Sequence, residues 1–204
     1  MTLRERLLDG RRVIGTWLQS GSAVCAEILA ASGFDFIAAD MEHTGMDTEA
    51  FMQFARAVGA AAAPMARVCA NDPIAIRRVL DGGAQGVIVP LVNTRQEAER
   101  AVAAAKYPPK GVRGYAFVRA NAWGADFDAY ARQANDQVAV IVMIETKKAV
   151  ENLEDIVRTE GVDGVLIGPY DLSGSYGVPG QTEHPLVCAA KQAALACCLK
   201  HGKA

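Results

Sequence analysis

Two short apolar runs in this sequence each lead to a carboxylate. Residues 141–144 are followed directly by Glu145, and residues 165–167 are followed, after a turn, by Asp171. Runs of branched apolar residues this short are typical of buried parallel strands. Because neighbouring parallel strands end at the same edge of a sheet, we expect Glu145 and Asp171 side by side. Two carboxylates that leave room for water or substrate suit Mg²⁺ or Mn²⁺, which prefer oxygen ligands.

The segment between the two runs supports this arrangement. Residues 147–159 carry apolar side chains at helical spacing, so the two strands and the intervening helix form one βαβ unit. Each acid also has a structural alternative, since Glu145 could cap the following helix and Asp171 the turn at residues 172–174. For either residue alone, the capping role and the binding-site role have equal weight. The presence of both residues on adjacent strand ends favours a binding site.

Other reactive side chains follow earlier strands. Asp40, Glu42 and His43 follow one apolar run, and Arg67 lies near the end of the next. A metal ion on the two carboxylates described above would polarise a 2-oxo acid, and Arg67 could bind the same oxygens as negative charge develops. His43 could move a proton, and Asp40 could orient its imidazole. The structural alternatives are a loop hydrogen-bond donor for His43, an ion pair for Arg67, and acids at a helix N-terminus for the other two.

The elements that must position these residues form an alternating pattern, which predicts a parallel α/β fold. The expected strands are residues 13–18, 34–39, 64–68, 87–90, 141–145 and 165–167. The expected helices are residues 3–8, 23–31, 48–62, 73–80, 94–105, 126–134, 147–159 and 185–200. A closed parallel barrel needs eight strands, whereas an open doubly wound sheet can stop at five or six, so the pattern alone leaves both open.

Phosphate-binding signatures are absent from this pattern. No glycine-rich dinucleotide fingerprint follows the first strand, and no Walker-type loop occurs. The alternation is interrupted at residues 107–122, an irregular stretch that carries the basic residues Lys110, Arg113 and Arg119. Irregular stretches of this length are usually functional.

Composition predicts one globular domain over residues 1–204. Hydrophobic residues make up 51% and charged residues 22%, and the net charge is −2 with scattered basic residues, so neither nucleic acid nor a membrane surface is an expected partner. No run is long enough to span a bilayer, and the start lacks the pattern of a secretory signal. The five cysteines form no CxxC pair and lie in apolar contexts, which predicts buried, reduced thiols in a cytoplasmic protein.

Several motifs, taken in order, resemble the HpcH/HpaI aldolase family, whose members are metal-dependent class II aldolases that act on 2-oxo acids. The matching stretches are residues 15–18, 33–36, 40–43, 67–68, 81–90, 107–114, 144–146 and 161–173. The resemblance covers nearly the whole chain. No single motif is specific, but their combination in this order is.

The resemblance implies a (β/α)₈ TIM-type barrel, of which about six βα units are present in this chain. It further implies that Glu145 and Asp171 bind a divalent metal ion, Mg²⁺ or Mn²⁺ and alternatively Co²⁺. Backbone amides near Tyr170 and Asp171 would contact the carboxylate of pyruvate. Because the chain ends where the family's seventh strand begins, we expect it to lack the last two strands and the terminal helix.

Catalytic roles also follow from the resemblance. Arg67 would hold the pyruvate moiety and its enolate, and His43 would serve as acid and base with Asp40 as its partner. Asp81 would approach the site of a neighbouring subunit in a homo-oligomer, typically a hexamer. One departure is Met143, which stands where some members carry glutamine, so a supporting hydrogen bond is expected to be absent.

The implied reaction is the reversible cleavage of a 4-hydroxy-2-oxo acid, such as a 2-keto-3-deoxy sugar acid, to pyruvate and an aldehyde through a pyruvate enolate. One alternative is a citrate-lyase-β-like acyl-CoA lyase, for which Lys110, Arg113 and Arg119 would supply a basic nucleotide-binding surface. A second alternative is a non-catalytic subunit that contributes only to assembly.

Overall fold

The computed structural model describes residues 1–204 and contains one parallel six-stranded sheet. The strands are β1 (Gly15–Leu18), β2 (Phe36–Asp40), β3 (Ala63–Arg67), β4 (Gly86–Val89), β5 (Ala139–Ile144) and β6 (Gly164–Ile167). They lie in chain order, so β1 and β6 form the two edges of the sheet. The sheet curls into a half-barrel, as expected for part of a TIM-type barrel.

Ten α-helices accompany the sheet. They are α1 (Leu3–Leu8), α2 (Ala23–Ala31), α3 (Thr48–Val58), α4 (Pro73–Asp81), α5 (Arg95–Ala105), α6 (Phe127–Gln137), α7 (Lys147–Glu151), α8 (Leu153–Val157), α9 (Pro169–Ser175) and α10 (Pro185–His201). Six of them begin at a hydroxyl or carboxylate that accepts a hydrogen bond from the first turn, namely at Thr2, Ser22, Asp47, Asp72, Thr94 and Thr146.

The six expected strands are all present, and their ends differ from the expected ones by at most two residues. Three helices differ from expectation. The helix predicted at residues 48–62 ends at Val58 because Gly59 adopts φ 58°, which helices do not continue. The helix predicted at residues 147–159 is divided at Asn152. Helix α9 is not predicted by the sequence pattern, because its composition, with Pro169 and Gly174, has low helix propensity.

The two faces of the sheet have different environments. On one face, alternate strand residues such as Val87, Val140 and Val142 pack against the helices in a cluster of 37 buried residues. On the concave face, the intervening residues, including Met65 and Ile141, belong to a cluster of 7 buried residues. This division follows from the alternation of side chains along each strand.

Helix α1 closes the amino-terminal end of the concave face. Leu3 is only 1% exposed and belongs to the smaller cluster. Beside it, Arg4 Nε donates to Asp163 Oδ1 at 2.9 Å, and the other oxygen of this buried carboxylate accepts from the backbone N–H of Val140 at 2.9 Å. The N-terminal segment is therefore packed into the fold rather than attached to its surface.

The irregular stretch after α5 is held by a buried cation. The guanidinium of Arg113 lies 4.6 Å from the ring centroid of Tyr107 and 5.6 Å from that of Tyr130. It also donates from Nη2 to Asp81 at 2.8 Å, and its side chain is 0% exposed. Further along, Trp123 has φ 57° and is exposed.

No helix in the structure has the combination of length and apolar character that crossing a membrane requires. All five cysteines are free, as expected, but the expectation that all are buried is wrong. Cys197 and Cys198 are buried, Cys188 is intermediate, and Cys25 and Cys69 are exposed. The exposed pair lies in apolar sequence that the fold does not cover.

Candidate active site

Strand alternation collects the polar residues at the carboxyl ends of the strands. The apolar residue that precedes each of Asp40, Arg67 and Glu145 belongs to the larger core cluster, against the helices. Because successive side chains point to opposite faces, these three side chains point to the concave face. In register, Asp40 of β2 lies directly opposite Arg67 of β3.

Asp40 and Arg67 form a bidentate ion pair. Arg67 Nε donates to Asp40 Oδ1 at 2.9 Å, and Arg67 Nη2 donates to Asp40 Oδ2 at 2.6 Å. Burial by itself would raise the pKa of Asp40, but the hydrogen bonds from Arg67 and from nearby backbone N–H groups lower it to about 2. Asp40 is therefore an anchor that is ionised at neutral pH and fixes the direction of the guanidinium.

Two residues at the end of β1 complete the surroundings of this pair, and the sequence reasoning missed both. The guanidinium of Arg67 lies 4.9 Å from the ring centroid of Trp17, and Gln19 Nε2 donates to Asp40 Oδ2 at 3.3 Å. Gln19 follows a strand as Asp40 does, so a search of strand ends for all polar groups, and not only for charged ones, would have found it.

Glu42 and His43 lie on the loop after β2. The Asp40 carboxylate accepts from the backbone N–H of His43 at 3.3 Å, so the expected contact of Asp40 with the imidazole is not formed. The reason is that both Asp40 oxygens are occupied by Arg67. His43 Nε2 instead lies 3.7 Å from Glu42 Oε2, which in turn lies 3.3 Å from Arg67 Nε.

Glu145 is buried at the end of β5. Its Oε1 accepts from the backbone N–H of Leu91 at 2.6 Å, and Leu91 adopts the unusual φ of 55°. A Cβ on Gly168 would lie 2.8 Å from Glu145 Oε2, so only glycine lets the chain after β6 approach this carboxylate. Burial raises the pKa of Glu145, and the charges of Glu42 and Asp171 raise it further against the opposing Leu91 hydrogen bond.

Asp171 and Tyr170 lie in the first turn of α9, and both are exposed. They border an open cavity of about 420 Å³ together with Trp17, Gln19, Arg67 and Met143. Met143 is buried and offers no hydrogen bond to the carboxylates, as its residue type implies. The cavity therefore has an aromatic and apolar wall beside a charged rim.

The donor set of this rim suits a hard divalent cation. Four carboxylates lie along this rim, those of Asp40, Glu42, Glu145 and Asp171, with the single guanidinium of Arg67 among them. Burial raises the pKa of Glu42, and the nearby charge of Asp171 raises the pKa of Glu42 further. The Oε2 atom of Glu42 is buried and has no hydrogen-bond partner. A divalent metal ion neutralises such an excess of carboxylates over cations in a partly buried site.

Asp81 is not part of this rim. It is the last residue of α4, and because helices run antiparallel to the strands in βα units, it lies near the amino-terminal end of the sheet. The three basic residues of the irregular stretch do not form an open basic surface. Lys110 pairs with Asp136 at 3.0 Å, Arg113 is buried against Asp81, and Arg119 donates to backbone carbonyl groups.

A second group of metal-binding side-chain types lies between α8 and α10. Glu154, Cys197 and His201 have ligand atoms within 4.8 Å of one another, so this group can hold a metal ion. Hydrogen bonds from Lys200 and His201 lower the pKa of Glu154 to about 2. Burial, together with the Glu154 carboxylate, raises the pKa of the Cys197 thiol to about 11.

Comparison with known proteins identifies relatives over most of the chain. The family model described as "HpcH/HpaI aldolase/citrate lyase" matches residues 13–204. A 4-hydroxy-2-oxo-heptane-1,7-dioate aldolase of Shigella sonnei is 42% identical over 206 aligned positions, which cover 100% of this chain and 78% of the relative. A hydroxypyruvate/pyruvate aldolase of Sagittula stellata is 45% identical over 191 positions, which cover 92% of this chain and 74% of the relative.

A solved structure has the same fold over nearly all of this chain. A HpcH/HpaI aldolase/citrate lyase family protein from Burkholderia cenocepacia superposes with a TM-score of 0.95 at 39% sequence identity. The superposition covers 99% of this chain and 82% of that protein.

Proposed function

This chain belongs to the HpcH/HpaI aldolase/citrate lyase family, and from that premise we propose that the concave rim is the active site of a metal-dependent aldolase. The chain is a carbon–carbon lyase of the aldolase type, as its similarity to named aldolases over its whole length indicates. We propose that it cleaves a 4-hydroxy-2-oxo acid, such as a 2-keto-3-deoxy sugar acid, to pyruvate and an aldehyde. Both named relatives act on compounds of the 2-oxo acid type.

One observation carries the proposal for the site. Glu145, Asp171 and Glu42 lie at or just after the carboxyl ends of the strands, and Arg67, held by Asp40, lies 3.3 Å from Glu42 there. This combination offers oxygen ligands for a cation and a fixed donor for a developing oxyanion at one rim of the sheet.

Glu145 and Asp171 would hold the metal ion, with Mg²⁺ or Mn²⁺ as the expected species and Co²⁺ as an alternative. A bound divalent ion would supply Lewis-acid stabilisation of the negative charge on the substrate's C2 oxygen. Leu91 supports this assignment, because its backbone N–H occupies Glu145 Oε1 and leaves Oε2 on the side of Gly168.

Arg67 would bind the oxygens of the 2-oxo acid. Its Nε and Nη2 groups are directed at Asp40, whereas Nη1 makes no hydrogen bond within the chain. Because the cavity reaches Arg67, the Nη1 group is available to a substrate oxygen there. A donor fixed in advance costs little reorganisation when the enolate forms, so its contribution is larger in the transition state than in the ground state.

His43 would move the proton. In the cleavage direction, the proton of the C4 hydroxyl passes to the imidazole as the C3–C4 bond breaks, and the electron pair of that bond becomes the C2–C3 double bond of the enolate. The aldehyde leaves, and a proton delivered to C3 completes the methyl group of pyruvate. Glu42, at 3.7 Å from His43 Nε2, would stabilise the imidazolium that forms.

We propose that the barrel closes with eight strands and that the protein assembles as a homo-oligomer. The outer edge of β6 supports a further parallel strand, because the backbone N–H of Ala204 donates to Asp163 at 3.0 Å and the carbonyl of Ala204 accepts from Val165 at 2.9 Å. Asp81, distant from the rim of its own chain and fixed by Arg113, is proposed to serve the site of a neighbouring subunit.

The first test is the exchange of pyruvate methyl protons for deuterium in D₂O, followed by NMR after Mn²⁺ has been removed from each sample. This exchange reports enolate formation without any assumption about the aldehyde. We expect exchange that depends on Mn²⁺, stops with a chelator, and is lost in Glu145→Gln, which keeps the size of the side chain and its bond from Leu91.

An exposed acid provides the matched control. Glu99 lies on the surface of α5, so the Glu99→Gln variant should catalyse the exchange of pyruvate methyl protons at the wild-type rate. Exchange that persists in Glu145→Gln, or that needs no metal ion, would contradict the proposed role of the rim. Exchange without cleavage of any 4-hydroxy-2-oxo acid would support the enolate chemistry but reject the proposed substrate class.

A further inference from the structure

The group formed by Glu154, Cys197 and His201 lies on the helical side of the sheet, apart from the concave rim. Cys197 and His201 are four positions apart on α10, so they project from the same side of that helix. Glu154 faces them from α8. Residues at this spacing on one helix, with a third ligand from a neighbouring helix, can surround one ion.

The distances between the ligand atoms fit such an ion. Cys197 Sγ lies 3.5 Å from Glu154 Oε2, and His201 Nε2 lies 2.7 Å from Glu154 Oε1. All the ligand atoms lie within 4.8 Å of one another. Ligands of a tetrahedral zinc ion, each about 2.0–2.3 Å from the metal, lie roughly 3.3–3.8 Å apart, so the sulfur–oxygen distance fits and the imidazole moves about 0.6 Å away from the carboxylate as the ion binds.

The three side chains of this group are buried to different extents. Cys197 is 8% exposed, whereas the side chains of His201 and Glu154 are 21% and 45% exposed. A cavity of about 380 Å³ borders Glu154, Cys197 and Lys200, so an ion can enter from solvent and keep a water molecule as its fourth ligand.

Lys200 also contacts the carboxylate of this group. Lys200 Nζ lies 2.8 Å from Glu154 Oε1, the same oxygen that contacts His201. The Lys200 side chain is 65% exposed, so it can turn into solvent and release that oxygen at small cost.

We propose that Glu154, Cys197 and His201 form a second metal site, for a zinc-class cation, that joins α8 to α10 independently of the reaction. A set of one thiolate, one imidazole and one carboxylate is typical of Zn²⁺ sites, whereas Mg²⁺ and Mn²⁺ prefer the all-oxygen set of the concave rim. When the ion binds, the Cys197 thiol gives its proton to solvent and the sulfur forms the bond to the metal.

Co²⁺ is the probe that distinguishes the two sites. A thiolate bound to Co²⁺ gives a sulfur-to-metal charge-transfer band in the near ultraviolet, and carboxylate ligands do not. We expect the metal-free protein, titrated with Co²⁺, to develop this band and to reach saturation at one thiolate-bound ion per chain. Zn²⁺ should then abolish the band by displacement, and should raise the melting temperature of the metal-free protein.

Variants assign the band to these residues. Cys197→Ser should remove it, and His201→Gln should weaken Co²⁺ binding by at least about tenfold. Cys198→Ser is the matched control, because the adjacent thiol is also buried on α10 but is not in the group. Glu145→Gln should keep the band, so a failure of the proposed catalytic site would not alter this result.

Two results would overturn the proposal. One is a wild-type protein, folded by circular dichroism, that shows no thiolate band and no stabilisation by Zn²⁺, which would leave the group as an ion pair between helices. The other is a band that survives in Cys197→Ser, which would assign the metal to a different cysteine.

Discussion

Arg67 has two roles in the proposed site: it forms an ion pair with Asp40, and it offers a hydrogen-bond donor to the substrate. Its fork is bound to Asp40 through two nitrogens, its plane lies against Trp17, and its third nitrogen remains available to substrate. The fixed direction of the guanidinium depends on the planar fork and not on the charge alone, because lysine cannot make two parallel bonds to one carboxylate.

We therefore expect Arg67→Lys to lower the rate of pyruvate methyl exchange by about 100- to 1,000-fold, as for the loss of an oxyanion donor. Mn²⁺ affinity should stay near the wild-type value, since lysine keeps the positive charge. Exchange rates by NMR and Mn²⁺ binding by electron paramagnetic resonance separate these effects, with Arg95→Lys on the surface of α5 as a control. Exchange at the wild-type rate in Arg67→Lys would rule out the proposed role of the fork.

Asp40 makes stability depend on pH in a defined window. Despite the opposing effect of burial, its hydrogen bonds lower the pKa from 3.8 to about 2, so its stabilising contribution is present above about pH 4 and is lost as pH falls through about 2. The shift corresponds to at most roughly 2.5 kcal/mol of unfolding free energy, which solvent screening at the open rim reduces.

We expect Asp40→Asn to be less stable than wild type at neutral pH by up to this amount, and the difference to shrink between pH 4 and pH 2. Urea unfolding at several pH values measures the difference. A difference independent of pH would contradict the assignment.

At the scale of elements, the junction between β6 and α9 determines how close Asp171 comes to Glu145. Gly168 caps α9 and lies against the side chain of Glu145, where a Cβ would be 2.8 Å from Glu145 Cβ and 2.8 Å from Oε2. Since Glu145 is buried and also bonded to Leu91, it has little freedom to move away.

Gly168→Ala should therefore weaken Mn²⁺ binding by at least about tenfold, because it displaces one ligand relative to the other. Gly174→Ala is the matched control, since Gly174 lies in the same helix and an added Cβ there would have no neighbouring atom within 4 Å. That control should keep Mn²⁺ affinity and gain up to about 1 kcal/mol in stability. Calorimetric titration with Mn²⁺ measures both variants, and equal affinities would show that the close approach has no bearing on the site.

At the scale of the whole molecule, α1 packs against the concave face of the sheet. Leu3 is buried among the concave-face residues, and Arg4 neutralises the buried Asp163 beside it. The half-barrel has a small inner cluster, so each large side chain within it matters for stability.

We expect Leu3→Ala to lower the unfolding free energy by about 2–5 kcal/mol, as for other buried leucines. Leu8→Ala, in the same helix but at an exposed position, should change it by less than about 0.5 kcal/mol. Urea unfolding measures the pair. Equal effects would indicate that α1 is only loosely attached.

The sequence by itself determined the strands and the family. Short apolar runs specify buried strands locally, so the strand positions, and with them the places of Arg67 and Glu145 at strand ends, could be read without coordinates. The resemblance to aldolases was also confirmed. It could be recognised without coordinates because its motifs are continuous stretches of sequence.

Only the tertiary structure decided which groups contact one another. The register of β2 against β3 sets Asp40 on Arg67 and leaves His43 beside Glu42, whereas the sequence predicts Asp40 beside the His43 imidazole. Contacts between α8 and α10, which join Glu154 to Cys197, arise from packing between segments distant in the chain. Such contacts depend on distances in space, and no local pattern of residues encodes them.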